Sequence, residues 1–222
     1  MNYYAFSALF VMAVSLIMGL FILFRNKKGQ VNGSFFIFAF FIALWSFGYF
    51  FWQLSSNPES ALLWTRVLMA GAIFIPVAYL NLAYILIGLT NKRRKIIFGS
   101  YLLFLIFFIL DFTPLFINKI ESNSFFPYWP MPGFAFHPFL VLWLSYMIYG
   151  TYFLFKTSLK QSGIIRDRLQ WTAIGVLLGI IGGSTNYFLW YGIQIPPVLS
   201  ILSSFYVFAI AYIILMGKVK SD

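Results

Sequence analysis

Apolar residues run along this chain in long blocks separated by short polar breaks. Five blocks cover about 3–24, 34–52, 63–89, 96–116 and 139–155. From Leu169 to Gly217 there is no charged residue at all. That stretch is too long for one crossing of a bilayer, which takes about 20 residues. Gly192 and Pro196-Pro197 divide it into runs of about 169–191 and 197–216. Only helices and closed barrels span lipid, because backbone groups must be satisfied internally. Barrel strands alternate in segments of about ten residues, whereas these runs are longer and apolar throughout. The pattern predicts an all-α membrane protein: one seven-transmembrane helix bundle over 1–222.

Composition agrees. The chain is 62% hydrophobic and 9% charged, where a soluble domain carries about 25% charged residues. The net charge of +10 reads as topology and not as nucleic-acid binding, because the cations sit in short loops. Thirteen of the 15 Lys and Arg fall in the first, third and fifth loops and the tail, leaving Arg66 and Lys119 on the other side. Cations are retained in the cytoplasm, so the N-terminus is expected outside and the C-terminus inside. The first apolar run follows an uncharged Met1-Asn2-Tyr3-Tyr4, unlike a cleaved signal peptide with its positive start. The expected location is the plasma membrane of a prokaryote, as a multi-pass protein.

Catalytic chemistry has little to stand on. There is no Cys, one His and five acids, too few for a metal cluster or a triad. No catalytic residue, metal site or cofactor is expected. The last run has no lysine before Lys218 that could hold a retinal-type chromophore.

Asp111 is the acid expected within a span. It lies 15 residues beyond Ile96, about 22 Å up from the cytoplasmic side. Arg66 enters the third run from the outer side. The plain expectation is an Arg66–Asp111 ion pair or a solvated Asp111. The sharper one is an outer pocket for a small-molecule or lipid-like ligand, formed by Arg66, Asp111, Gln53, Asn186 and Gln194. Gly175, Gly179 and Gly183 share one helical face, and small residues at that spacing admit close helix packing. Pro76 predicts a kink with Asn81 bonding locally. The loop 125–134, rich in aromatics and proline, excludes a regular helix. It is expected to fold onto the bundle or the outer interface, or to act as a lid. His137 beside it is either pH-responsive or incidental. Ser184, Thr185, Ser200, Ser203 and Ser204 are expected to bond between helices.

Several signatures occur together. Arg166-x-Arg168-x-Gln170 leads into Gly175, Gly179, Gly182 and Gly183, then Asn186, Gly192-Ile193, Pro196-Pro197 and Ala209-Ile210-Ala211-Tyr212. Trp64-x-Arg66, Gly71, Pro76 and Gly88 mark the third run. The pattern resembles the N-terminal seven-helix membrane region of bacterial and archaeal histidine kinases, over nearly the whole chain. The resemblance implies a sensory input module whose last helix feeds a cytoplasmic kinase region, in cis or in trans. It supplies no catalytic residue, and the sequence shows neither a dimerisation-helix histidine nor a nucleotide-binding glycine box. The chain is then either the sensor part of a longer protein or a lone module. A homodimer and the lipid bilayer are the other expected partners. A small solute transporter and a membrane scaffold are the alternative readings.

Overall fold

The computed structural model describes residues 2–25 and 29–216. The basic segment 26–28 and the tail 217–222, with Lys27, Lys28, Lys218 and Lys220, lie outside the described residues.

Among the described residues seven α-helices follow in order: α1 Tyr3–Arg25, α2 Gln30–Gln53, α3 Pro58–Leu86, α4 Thr90–Asp111, α5 Phe136–Ser158, α6 Gly163–Trp190 and α7 Leu202–Met216. By length and composition α1, α2, α3, α5 and α6 can each cross a membrane. In α4 charges stand at both ends (Arg94, Lys95 and Asp111), and α7 has 15 residues behind a 3₁₀ turn over Val198–Ile201.

The helix ends have local causes. Asn57 caps α3 by accepting the Ser60 N–H at 2.8 Å, with Pro58 in the first turn. This signature starts α3 earlier than its apolar run. Gly88 and Gly192, at φ +73° and +74°, end α3 and α6. After each, the next amide reaches back to the third-last helical carbonyl: Leu89 N–H to Tyr84 and Ile193 N–H to Phe188, at 2.9 and 3.0 Å. The left-handed residue these caps require is one that glycine adopts freely. Pro114 stops α4 at Asp111, short of the apolar run's end at 116, because a residue before proline disfavours the helical region.

Between α4 and α5 the chain forms a β-hairpin that the apolar pattern does not foretell. Strand β1 (Ile117–Glu121) pairs antiparallel with β2 (Trp129–Pro132), Ile120 opposite Pro130 and Glu121 opposite Trp129. A two-stranded sheet is all edge, so Pro130 and Pro132 are tolerated there. Asn123 shapes the turn, its Oδ1 accepting the Phe125 and Phe126 N–H groups at 2.9 and 2.8 Å. The hairpin folds onto the bundle: Phe126 and Trp129 are buried, Trp52 Nε1 donates to the Tyr128 carbonyl, and the Tyr128 hydroxyl donates to the Ser56 carbonyl.

Six helices form a closed ring in the order α1–α2–α3–α5–α6–α7, with α7 returning to α1, and α4 packs outside against α3. The α2–α3 seam is the tightest. A Cβ on Gly48 would lie 2.6 Å from the Leu68 Cα, and one on Gly71 would lie 2.7 Å from the Phe41 carbonyl oxygen. On the far side, the Tyr79 hydroxyl meets Thr151 Oγ1 at 2.9 Å and ties α3 to α5.

Pro76 removes the amide that would bond the Ala72 carbonyl. Trp143 on α5 supplies the missing donor, its Nε1 reaching Ala72 O at 3.0 Å. Asn81 does not bond locally as the sequence suggested. Its Nδ2 donates to Ser34 Oγ on α2 at 3.2 Å, because the α2–α3 seam brings that hydroxyl within reach.

Candidate functional site

A cavity opens among the ring helices, with about 740 Å³ of empty space when the open solvent at its mouth is counted. Trp45, Tyr49 and Trp52 of α2 form one wall, at the i, i+4, i+7 spacing of one helical face. Leu68, Met69, Ala72 and Ile75 of α3 form the next, and Trp143 and Met147 of α5 the third. From α6 come Gly179, Gly183, Asn186, Tyr187 and Trp190, and from α7 Ser203. Trp129 and Pro130 of the hairpin close the end.

One hydrogen bond crosses the ring: the Tyr49 hydroxyl donates to Asn186 Oδ1 at 3.0 Å, and both side chains are buried. Asn186 Nδ2 in turn donates to the Gly183 carbonyl at 3.1 Å. The Phe136 and Trp190 rings stack at 4.2 Å beside this end. A Cβ on Gly182 would lie 2.6 Å from the Leu199 carbonyl and 3.0 Å from Leu202 Cβ. A Cβ on Gly183 meets only Ser203 Oγ, at 4.0 Å. So Gly182 makes the close contact with the segment leading into α7, while Gly183 leaves room in the cavity, which Gly179 also lines. Gly175 is buried on α6.

Of the five residues expected around an outer pocket, the cavity takes Asn186. Gln53 accepts from Asn2 Nδ2 at 3.3 Å, and Gln194 Nε2 donates to the Gly192 carbonyl at 3.3 Å, both in exposed settings. Arg66 and Asp111 stand away from the cavity lining. Asp111 is fully buried and not solvated, and its two carboxylate oxygens have no hydrogen-bond partner. The expected ion pair does not form: among the described residues the salt bridges are Lys119–Glu121 and Arg166–Asp167. Arg66 acts on Asp111 through space, and its own Nε is buried without a partner. The position of a charge along an apolar run does not give its direction around the helix.

Asp111 also ends α4, where helix carbonyls point and a negative charge is disfavoured. Desolvation and the helix end both oppose the carboxylate, with a distant Arg66 as partial relief. Asp111→Asn is therefore expected to raise the apparent Tm by about 3 °C, the shift that about 1 kcal/mol gives at this size. Thermal unfolding in nanodiscs measures it. A lower Tm would mean that attraction to Arg66 outweighs the burial cost.

The hydroxyls divide. Ser200 meets Ser7 Oγ across to α1 at 3.4 Å. Thr185 and Ser204 instead bond carbonyls three residues back at 2.7 Å, and Ser184 Oγ is buried without a partner. His137 Nδ1 pairs with the Tyr191 hydroxyl at 2.9 Å and ties the start of α5 to the end of α6.

A ring of helices around an aromatic cavity, with five helices long and apolar enough to cross a bilayer, defines a multi-pass membrane protein. The sequence matches the family model of the N-terminal 7TM region of histidine kinase over residues 7–217, and the chain belongs to that family. The matched region is the sensory membrane part of such kinases and not a catalytic domain. No curated protein matches the chain.

Proposed function

We propose that this chain is the sensory input module of a two-component histidine kinase in a prokaryotic plasma membrane, and that its signal is a molecule held in the ring cavity. The hairpin end, with Arg66 and Lys119, faces outward. The end carrying Arg25, Arg93, Arg94, Lys95, Lys156 and Lys160 faces the cytoplasm, by the retention of cations on that side. The kinase region acts in cis or in trans beyond α7.

The observation that carries this reading is the position of α6. Its Gly179, Gly183 and Asn186 face the cavity, while Gly182, one residue along, lies against the Leu199 carbonyl and Leu202. Ser203 of α7 itself lines the cavity. Whatever fills the space therefore bears on the helix that leaves the membrane. A ligand that favours one arrangement of α6 and α7 shifts the population between two states by its differential affinity.

A Cβ at Gly183 meets only Ser203 Oγ, at 4.0 Å, so Gly183→Leu is expected to project into the cavity and mimic occupancy. The natural sequence has no cysteine, so spin labels at Gln161→Cys and Leu215→Cys report the cytoplasmic ends of α6 and α7 cleanly. Gly183→Leu is expected to shift the label distance distribution in nanodiscs, and Gly99→Leu on α4 to leave it unchanged. Identical distributions for Gly183→Leu and the parent would sink the reading.

A further inference from the structure

The hydrogen-bonding groups around the cavity are unevenly matched. Five of the chain's seven tryptophans line it. Trp52 and Trp143 use their indole N–H groups on the Tyr128 and Ala72 carbonyls. Among the described residues, the indoles of Trp45, Trp129 and Trp190 and the Tyr187 hydroxyl have no hydrogen-bond partner. The Trp129 nitrogen is fully buried. An indole can donate and never accept. The side-chain acceptor at the crossing point, Asn186 Oδ1, already takes the Tyr49 hydroxyl. Inside a membrane no bulk water is at hand to satisfy such donors.

Among the described residues the walls hold no charged side chain. An anion would have no counter-charge there, and burying an unpaired charge is the costliest arrangement available. Aromatic faces do attract cations, but unpaired N–H and O–H groups present positive ends, which a cation leaves unmet. Building on the sensory reading above, we propose that the ligand is an uncharged, lipophilic molecule whose polar group accepts hydrogen bonds. A ketone, ester or quinone-type carbonyl has this character. Its oxygen takes hydrogen bonds from Tyr187 or Trp190, and its carbon skeleton lies among the rings and Met69 and Met147.

The test uses four probes of matched chain length on the protein in nanodiscs: 2-undecanone, n-undecane, decanoate and decyltrimethylammonium. The readout is the saturable change in tryptophan emission, with empty nanodiscs and Gly183→Leu correcting for simple partitioning. 2-Undecanone is expected to bind saturably and at least about tenfold more tightly than the other three. At least one of Tyr187→Phe and Trp190→Phe should weaken the ketone about fivefold, the worth of one hydrogen bond, and leave n-undecane unchanged. A structural role alone would move both probes together. Equal binding of ketone and hydrocarbon, tighter binding of either ion, or no ketone-specific loss in either variant overturns the proposal. In those cases a probe lost in Gly183→Leu leaves the cavity as the sensory site. Absence of saturable binding by every probe also overturns it, while the label distances between α6 and α7 decide the sensory reading separately.

Discussion

Gly71→Ala is expected to lower the apparent Tm of the protein clearly, by an overpacking cost of about 1–3 kcal/mol. The new methyl group would lie 2.7 Å from the Phe41 carbonyl oxygen and 2.8 Å from the Trp45 Cα. These are backbone atoms, so no rotamer change relieves the overlap, and α2 and α3 must move apart. Gly48 makes the reciprocal contact on α2, against the Leu68 backbone. The two glycines replace side chains with direct backbone approach, which is how helices gain packing where lipid offers no hydrophobic drive. Trp45 and Leu68, the residues opposite these glycines, also line the cavity, so a widened seam changes the cavity as well. The control is Gly99→Ala on α4, where a Cβ meets nothing within 4 Å. There alanine is neutral or stabilises by up to about 1 kcal/mol through helix propensity. Thermal unfolding of both variants in nanodiscs, followed by tryptophan emission, makes the comparison. A Gly71→Ala Tm equal to the parent's would show that the seam is loose.

Much of the fold was legible because lipid imposes a simple rule on sequence. Apolar runs marked the helices, and Gly192 with Pro196-Pro197 divided α6 from α7 through the left-handed cap at Gly192. The hairpin was hidden because Pro130 and Pro132 argue against a strand, and its pairing depends on partners across the loop. The candidate site was less legible. Asp111 and Arg66 stood out as charges, but charge in a span gives depth and not the direction around the helix axis. The better signal was Trp45, Tyr49 and Trp52 on one face of α2, which in a membrane run looks like ordinary lipid-facing composition. The row Gly175, Gly179 and Gly183 suggested packing, yet Gly182 makes the close approach to the Leu199 carbonyl. Spacing identifies a small-residue face, and only the neighbouring helix decides whether that face is filled or left open.

Trp143→Phe is expected to destabilise the bundle by about 1–3 kcal/mol, the cost of leaving a buried carbonyl without its donor. The indole Nε1 is the group that meets Ala72 O where Pro76 has removed the helical amide. The phenyl ring keeps most of the packing but has no donor. The same logic predicts a rescue. Pro76→Ala restores the amide that bonds the carbonyl four residues back, so Ala72 no longer depends on α5. In a double-mutant cycle, Trp143→Phe should cost much less in the Pro76→Ala background than in the parent, a coupling of at least about 1 kcal/mol. Loss of ring volume alone would cost the same in both backgrounds. Additive effects on Tm would therefore assign Trp143 to packing. Strong coupling would show that α5 holds the α3 interruption in place, and with it the wall that Ala72 and Trp143 share around the cavity.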